Sequence, residues 1–515
     1  MRDEIPIVTK TTAVEAALTA SSAPSPPPSS KFALPDHTSS DIMQPQLPSS
    51  VYAKLASQRI DITPPEGTPK LRPASSMEVP VTKITTLENG FRIASQETYG
   101  QLSTVGLLVD AGSRYEVRGV DTGVNHLYEL MAFKGTENKS HQEIMTEIEC
   151  MGGMATTNSS REQFLICIDS LRNSSTKAVQ ILADAIQRPK LTRNEVDEMK
   201  AVMEFQMQEL DLGVLLKEGI QAAAYGNQSL GNPHFCPPEH LATLSLDTLH
   251  QYRSNFFVAP RMILAGAGVN HDEFVELGSS LFGSMPKSSS TTSSEAPKRI
   301  PSVYRGGESR LVKESPDGLT KVAVAFEVGG WHSPDLVPIC VLQVLLGGGD
   351  SFSAGGPGKG MYSRLYREVL NRYHWAEAAE AFTAIHDESG LLGIAGSSTP
   401  DKSADLTLVF LEHFAKLAVQ PVTQDELSRA RNMLRCNVLT QLESRMVLFE
   451  DIGRQILTYG KRESPGVICQ KIDAVTVEDI MRVAKKAFLK PPSISCVGGD
   501  IGGVPTYDRI ASGNK

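Results

Sequence analysis

The sequence predicts an α+β protein made of two homologous domains, each a mainly antiparallel sheet packed with helices, joined by a linker rich in serine, threonine and proline. Three observations carry this prediction. An order of strand and helix patterns occurs twice, both copies carry a proline followed by a threonine capping box, and a polar segment lies between them. With 515 residues, 40% of them hydrophobic, the chain has material for more than one core.

Residues 1–80 stand apart. SSAPSPPPSS, LPDHTSS and ITPPEGTPKLRPASS are rich in proline and serine and lack apolar periodicity, which reads as a disordered or targeting segment. A mitochondrial targeting peptide is arginine-rich and nearly free of acids. Here Asp3 and Glu4 follow Arg2 at once and Glu15 comes later, so the match to that type is imperfect.

Residues 81–285 form the first domain. VGLLVDAG (105–112) alternates as a strand does, and GVNHLYELMAFKG has helical apolar spacing up to Gly135. FLICIDS is a second strand, STKAVQILADAIQ a long helix, and PKLTRNEVDEMK opens another helix with Thr192 and Glu195 as its capping box. Residues 286–301, PKSSSTTSSEAPKRIP, are the linker. Residues 302–515 repeat the plan: strand VAVAFEVGG, helix VPICVLQVLLGGG closing on Gly347, strand LLGIAGSS, helix SADLTLVFLEHFAKLAVQ, then PVTQDELSRARN with Thr423 and Glu426 as the box.

Composition excludes several function classes. Fifty lysines and arginines against 59 acids give a net charge of -9, which argues against nucleic acid and mildly for basic partners. The seven cysteines are scattered and never spaced as CxxC, so neither a disulfide framework nor a thiolate zinc site is expected, and a reducing compartment fits. No apolar run is long enough to span a bilayer as a helix.

Two segments carry candidate chemistry. His126 and Glu129 share one helical face, but the inverted zinc motif HxxEH needs a second histidine at position 130, where Leu130 stands. A following helix could supply a distal glutamate, and Glu204 is the candidate. The bland alternative is that these are polar residues on a helix surface; the repeated architecture favours a retired metal site instead. No catalytic residue and no metal are assigned to this chain.

The second segment is Gly347, Gly348, Gly349, Asp350, Ser351, Phe352, Ser353, Ala354, Gly355, Gly356, Pro357, Gly358, Lys359 and Gly360. Its Gly358 and Lys359 are followed by Gly360, so it is no P-loop. It follows a helix pattern with the wrong glycine spacing, so it is no dinucleotide fingerprint. A plain linker has little use for Phe352, Met361 and Tyr362, and MYSRLYREVLN resumes a helix pattern right after it. A substrate-handling loop accounts for more of its residues.

With these residues in hand, the chain over residues 80–510 resembles the pitrilysin-like metallopeptidase superfamily. Within it the likeness is to the alpha-subunit branch of mitochondrial processing peptidases. The loop SFSAGGPGKGMYSRLY carries the resemblance most specifically, supported by GSRYE (112–116), NHLYELMAFKGT and AAAYGNQSLGNP (222–233).

The resemblance implies two pitrilysin-like domains, the first with a degenerate HxxE-L site and the second with the glycine-rich loop. It also implies a heterodimer with a catalytic beta subunit that holds the zinc, and a non-catalytic, presequence-recognising role for this chain, which itself carries no cofactor. Basic presequence peptides are then the substrate, and the mitochondrial matrix, in contact with the inner membrane or not, is the expected location. His126 and Glu129 fall on the first histidine and the general base, Leu130 replaces the second histidine, Glu204 falls at the distal ligand, and Asp350 departs from the loop's usual glycine. A core subunit of respiratory complex III is the alternative; a self-sufficient peptidase is a third reading, against which Leu130 stands.

Overall fold

The computed structural model describes residues 80–288, 299–351 and 361–513. The expected targeting segment through residue 79, most of the linker, and Phe352 to Gly360 lie outside the described residues.

The strands form two six-stranded sheets. The first holds β1 (Lys83–Thr86), β2 (Arg92–Gln96), β3 (Leu102–Val109), β4 (Met154–Ser159), β5 (Phe164–Leu171) and β6 (Met262–Ala267) in the order β1-β2-β6-β3-β5-β4. The second holds β7 (Gly307–Val312), β8 (Thr320–Gly329), β9 (Gly348–Asp350), β10 (Ala376–Ile385), β11 (Ser389–Ser398) and β12 (Ser493–Gly498) in the order β7-β12-β8-β11-β10-β9.

Laying β2 on β7, β6 on β12, β3 on β8, β5 on β11 and β4 on β10 matches neighbour and direction throughout. The β2–β6 and β7–β12 pairs are parallel, and the rest are antiparallel. The first sheet adds β1 at one edge; the second adds β9 at the other.

Helices α1 (Val124–Met131), α2 (His141–Cys150), α3 (Ser175–Gln187), α4 (Arg193–Glu209), α5 (Leu212–Tyr225), α6 (Leu246–Phe256) and α7 (His271–Phe282) belong to the first half. The second half has α8 (Leu336–Leu346), α9 (Ser403–Val419), α10 (Gln424–Gln441), α11 (Arg445–Tyr459), α12 (Pro465–Ala474), α13 (Val477–Phe488) and α14 (Tyr507–Gly513).

Thr423 and Glu426 form a complete capping box on α10. On α4 the Thr192 side chain accepts from the Glu195 N–H, while the Glu195 carboxylate accepts from the Thr192 hydroxyl. The helix expected up to Gly135 ends at Met131, because the following residues turn to tie Gly135 and Glu137 to Lys190 and Arg188 by backbone hydrogen bonds. The helix expected over MYSRLYREVLN becomes a turn and a π-helical segment, Tyr366–Leu370, whose wide turn seats Tyr366, Val369 and Leu370 in the core.

Both faces of each sheet are apolar, and different partners cover them. In the first sheet Leu107, Ile166 and Leu264 point into a core shared with α1, α3 and α7, while Leu108, Cys167 and Ile263 point the other way. That second face is covered by α11, from the other half, through Leu448, Phe449, Ile452 and Ile456. The second sheet mirrors this: Ala323, Ala325, Phe382 and Val497 receive Leu212, Leu216, Ile220 and Ala224 of α5. The two halves exchange one helix each.

The exchanged helices lie close to their sheets, and each has a glycine at the crossing. A Cβ on Gly219 would lie 2.4 Å from Ser495 Oγ, and one on Gly453 would lie 2.2 Å from Leu108 Cδ1.

A buried ionic seam also joins the halves. Arg114, 2% exposed, pairs with Glu162 and with Glu388 (2.6 Å) and donates to Ser229 Oγ and the Ile300 carbonyl. Arg299 pairs with Glu162 and Asp387, so the end of the expected linker is built into this contact. Burial pushes Glu162 above the usual carboxylate range, against the pull of Arg114 and Arg299.

Gly453→Val should test the exchange. Overpacking costs about 1–3 kcal/mol, which outweighs the up to about 1 kcal/mol that a glycine replacement gains within a helix. The variant should unfold at lower denaturant than the unchanged chain; an unchanged midpoint would mean that α11 does not lie this close.

Candidate functional site: a degenerate metal centre and a glycine-rich edge

The degenerate centre is positioned from the N-terminus of α1. Glu116 lies before the helix, and its carboxylate accepts from the N–H groups of Gly123 (2.8 Å) and Asn125 (2.9 Å), where the helix dipole is positive. Burial nevertheless holds Glu116 well above the usual carboxylate range. Asn232 donates to the carbonyls of Ser113 and Glu116, and Tyr252 donates to Asn125 Oδ1 (2.7 Å).

His126, one residue further, is 3% exposed. Its Nδ1 accepts from the Cys236 N–H (3.4 Å), so Nε2 carries the proton and donates to Gln206 Oε1 (3.0 Å) on α4. Phe235 meets the ring edge-on at 5.3 Å. Burial, then the neighbouring His234, lower His126 to about 4, against the bond to Gln206, so the ring is neutral at physiological pH.

Glu129 accepts from the Ser159 N–H (3.1 Å) and hydroxyl (2.5 Å) at the end of β4. Burial lifts it to about 7 against those two donors. Leu130 packs against the hydrophobic core of the first half.

The structure does not bring Glu204 to this group: its side chain is exposed, and Gln206 is the α4 residue that bonds His126. Helical geometry gives the reason. Val196, Met199 and Met203 form the buried stripe of α4, and the next position on it is 206, whereas 204 is turned about 100° away. That spacing is readable in the sequence and identifies Gln206. Cys236 and His234, which crowd the ring, come from an irregular segment with no comparable signal.

These residues do not fit a catalytic zinc, which takes three protein ligands and keeps an open position. Both ring nitrogens of His126 are engaged by protein groups, Leu130 has no donor atom, and an amide faces the ring where a carboxylate is needed. Among the described residues no group of three or more His, Cys, Asp or Glu side chains could hold a metal ion.

At the glycine-rich segment, Gly347 closes α8 and Gly348–Asp350 form edge strand β9, paired antiparallel to β10. Glycine is required here: Gly348 has φ 102°, and a Cβ on it would lie 1.9 Å from the Ala379 carbonyl oxygen. Ser351 still holds to Glu377, through its N–H (2.8 Å) and its hydroxyl (3.0 Å). Gly347 to Ser351, expected as loop, are therefore sheet-anchored, because their N–H and C=O groups find partners on β10 and its neighbours. Phe352, Ser353, Ala354, Gly355, Gly356, Pro357, Gly358, Lys359 and Gly360 lie outside the described residues. Tyr362, just past them, is 74% exposed.

A duplicated sheet-and-helix chain whose first half keeps part of an inverted zinc motif is a peptidase-type scaffold. Sequence comparison agrees: the profile described as "Insulinase (Peptidase family M16)" matches residues 92–238, and "Peptidase M16 inactive domain" matches 243–434. The chain is 36% identical over 444 residues to the mitochondrial-processing peptidase subunit alpha of Homo sapiens, covering 83% of this chain and 84% of that one. It is 39% identical to the probable mitochondrial-processing peptidase subunit alpha-1 of Arabidopsis thaliana, covering 85% and 86%, and 38% identical to the subunit alpha of Solanum tuberosum, covering 84% of each. The chain belongs to the family of mitochondrial-processing peptidase alpha subunits, within peptidase family M16.

The perturbed pair gives a pH test. A carboxylate whose folded pKa lies above its unfolded value removes stability as pH rises between the two, here from about 4.5 to about 7 for Glu129. His126, lowered from 6.5 to about 4, acts the other way across an overlapping range and masks the effect in the unchanged protein. Glu129→Gln should therefore be more stable than the unchanged chain at pH 8, by up to about 3 kcal/mol at 1.4 kcal/mol per pKa unit. The advantage should vanish below pH 4.5, as read from urea unfolding at several pH values.

Proposed function

We propose that this chain is the non-catalytic, substrate-recognising alpha subunit of a heterodimeric zinc endopeptidase that removes N-terminal presequences from imported mitochondrial precursor proteins. The observation that carries the non-catalytic half of this reading is His126, which has both ring nitrogens engaged and Leu130 where a second ligand would stand. The names of its relatives support the processing role and a beta-type partner, in which the zinc and the water-activating glutamate would reside.

The glycine-rich segment from Gly347 to Gly360 would capture the extended presequence. Its first residues are fixed to a sheet edge. The carboxylates of exposed Asp350 and half-buried Glu377 at that edge suit the arginines of a basic presequence, and such attraction weakens with salt. The mitochondrial matrix, in contact with the inner membrane or not, is the expected site of action. No helix among the described residues is long and apolar enough to cross a membrane.

Presequence cleavage should be measured with this chain alone, with a beta-type partner alone, and with both, quantifying zinc in each. Activity only in the mixture, with zinc in the partner, is the expected result. Cleavage and one equivalent of zinc in this chain alone would overturn the reading. Removing residues 352–360 should raise the KM for a presequence peptide at least tenfold in the assembled enzyme, with zinc content unchanged; an unaltered KM would take the loop out of substrate binding.

A further inference from the structure

A cavity of about 780 Å³ opens in the second half, far in sequence from the degenerate centre. Its walls come from α8, α10, α11 and α12 and from the chain that follows β8. Trp331, Leu336, Val438, Leu442 and Ile468 line it with apolar surface, and none of them is fully buried by the protein itself. That volume is in the range of small-molecule sites.

Arg454, on α11, lies in this wall and is 9% exposed. It has neither a hydrogen bond nor an ion pair among the described residues, and its Nη2 is shielded from solvent without a partner. Its guanidinium lies against the Trp331 ring, 5.4 Å from the guanidinium carbon to the ring centroid.

The contrast with other buried arginines is direct. Arg114 meets Glu162 and Glu388, Arg364 meets Glu426, and Arg462 meets Asp451. The carboxylates around the cavity are already taken: Asp451 by Arg462, Glu463 by Lys471, and Asp479 by Arg482. A guanidinium removed from water with its donors unmet costs stability unless an anion meets it, and ring contact alone leaves the N–H groups unsatisfied.

We propose that this cavity binds an amphipathic organic acid, with its apolar body against Trp331, Leu336, Val438, Leu442 and Ile468 and its carboxylate on Arg454. A single unpaired guanidinium matches a monoanion, and its planar fork fits the two oxygens of a carboxylate. Of the other lysines and arginines in the wall, Lys471 and Arg482 are already paired and Lys461 is exposed to solvent, which leaves Arg454 as the buried lining cation without a carboxylate partner among the described residues. The site stands independently of the processing role.

The chain has two tryptophans, so Trp375→Phe leaves Trp331 as a fluorescent reporter inside the cavity. Titrating that full-length variant with 10-bromodecanoate should quench Trp331 saturably at one equivalent, at least tenfold more tightly than 10-bromodecanol. Arg454→Met should lower affinity for the acid at least tenfold and leave the alcohol unchanged. Val438→Phe, which fills the apolar wall, should weaken both. Absence of saturable quenching, equal affinity for acid and alcohol, or an Arg454→Met variant that binds the acid as tightly as its parent would each overturn the assignment. The acid and alcohol comparison needs no arginine variant, so a folding defect in Arg454→Met would not shield the proposal.

Discussion

The exchange of α5 and α11 is the constraint on which the rest of the structure depends. Each sheet has two apolar faces, and only one is covered by helices of its own half. Phe449, Ile452 and Ile456 are fully buried on the first sheet, and each such side chain contributes about 1.5–3 kcal/mol when removed from water. Small residues on the receiving faces, among them Ala94, Ala265, Ala323 and Ala325, let the visiting helices approach. The ionic seam around Arg114 joins the same two halves, but the strength of the contact is hydrophobic, since desolvation offsets much of the attraction within a buried pair.

This frame also holds a cluster of buried polar side chains on and around α1. Polar groups buried in one place need partners within the protein. Here each has found one: Gln206 and the Cys236 backbone satisfy His126, Ser159 satisfies Glu129, and Leu130 joins the core. The cost of burial is visible in the shifts of His126 and Glu129 toward their neutral forms. The result is a polar cluster whose partners come from the protein itself.

Much of this architecture is legible in the sequence, and the exceptions have physical causes. The duplication is readable because strand alternation, helical spacing and capping boxes are local signals, and the sheets repeat them down to the direction of each pair. Gln206 is readable from the stripe that runs through Val196, Met199 and Met203 on α4. Amphipathic spacing shows that α5 and α11 bury a face, but it carries no information about which sheet receives it. The anchoring of Gly347 to Ser351 was hidden for a related reason: glycine composition signals freedom of φ, whereas the pairing that removes that freedom is supplied by β10, some thirty residues later.

The exchanged helices also set an order of events on the ribosome. Chain synthesis completes the first sheet with β6, at Ala267, yet the helix that covers its second face begins at Arg445. At translation rates of about 5–20 residues per second, that face is exposed for on the order of ten seconds or more. Meanwhile α5 is made early and waits for a sheet that is closed only when β12 is complete. The two halves therefore cannot mature one after the other as independent beads. The nascent chain carries an open apolar face until α11 is made and an unpaired helix until β12 follows, surfaces of the kind that chaperones shield.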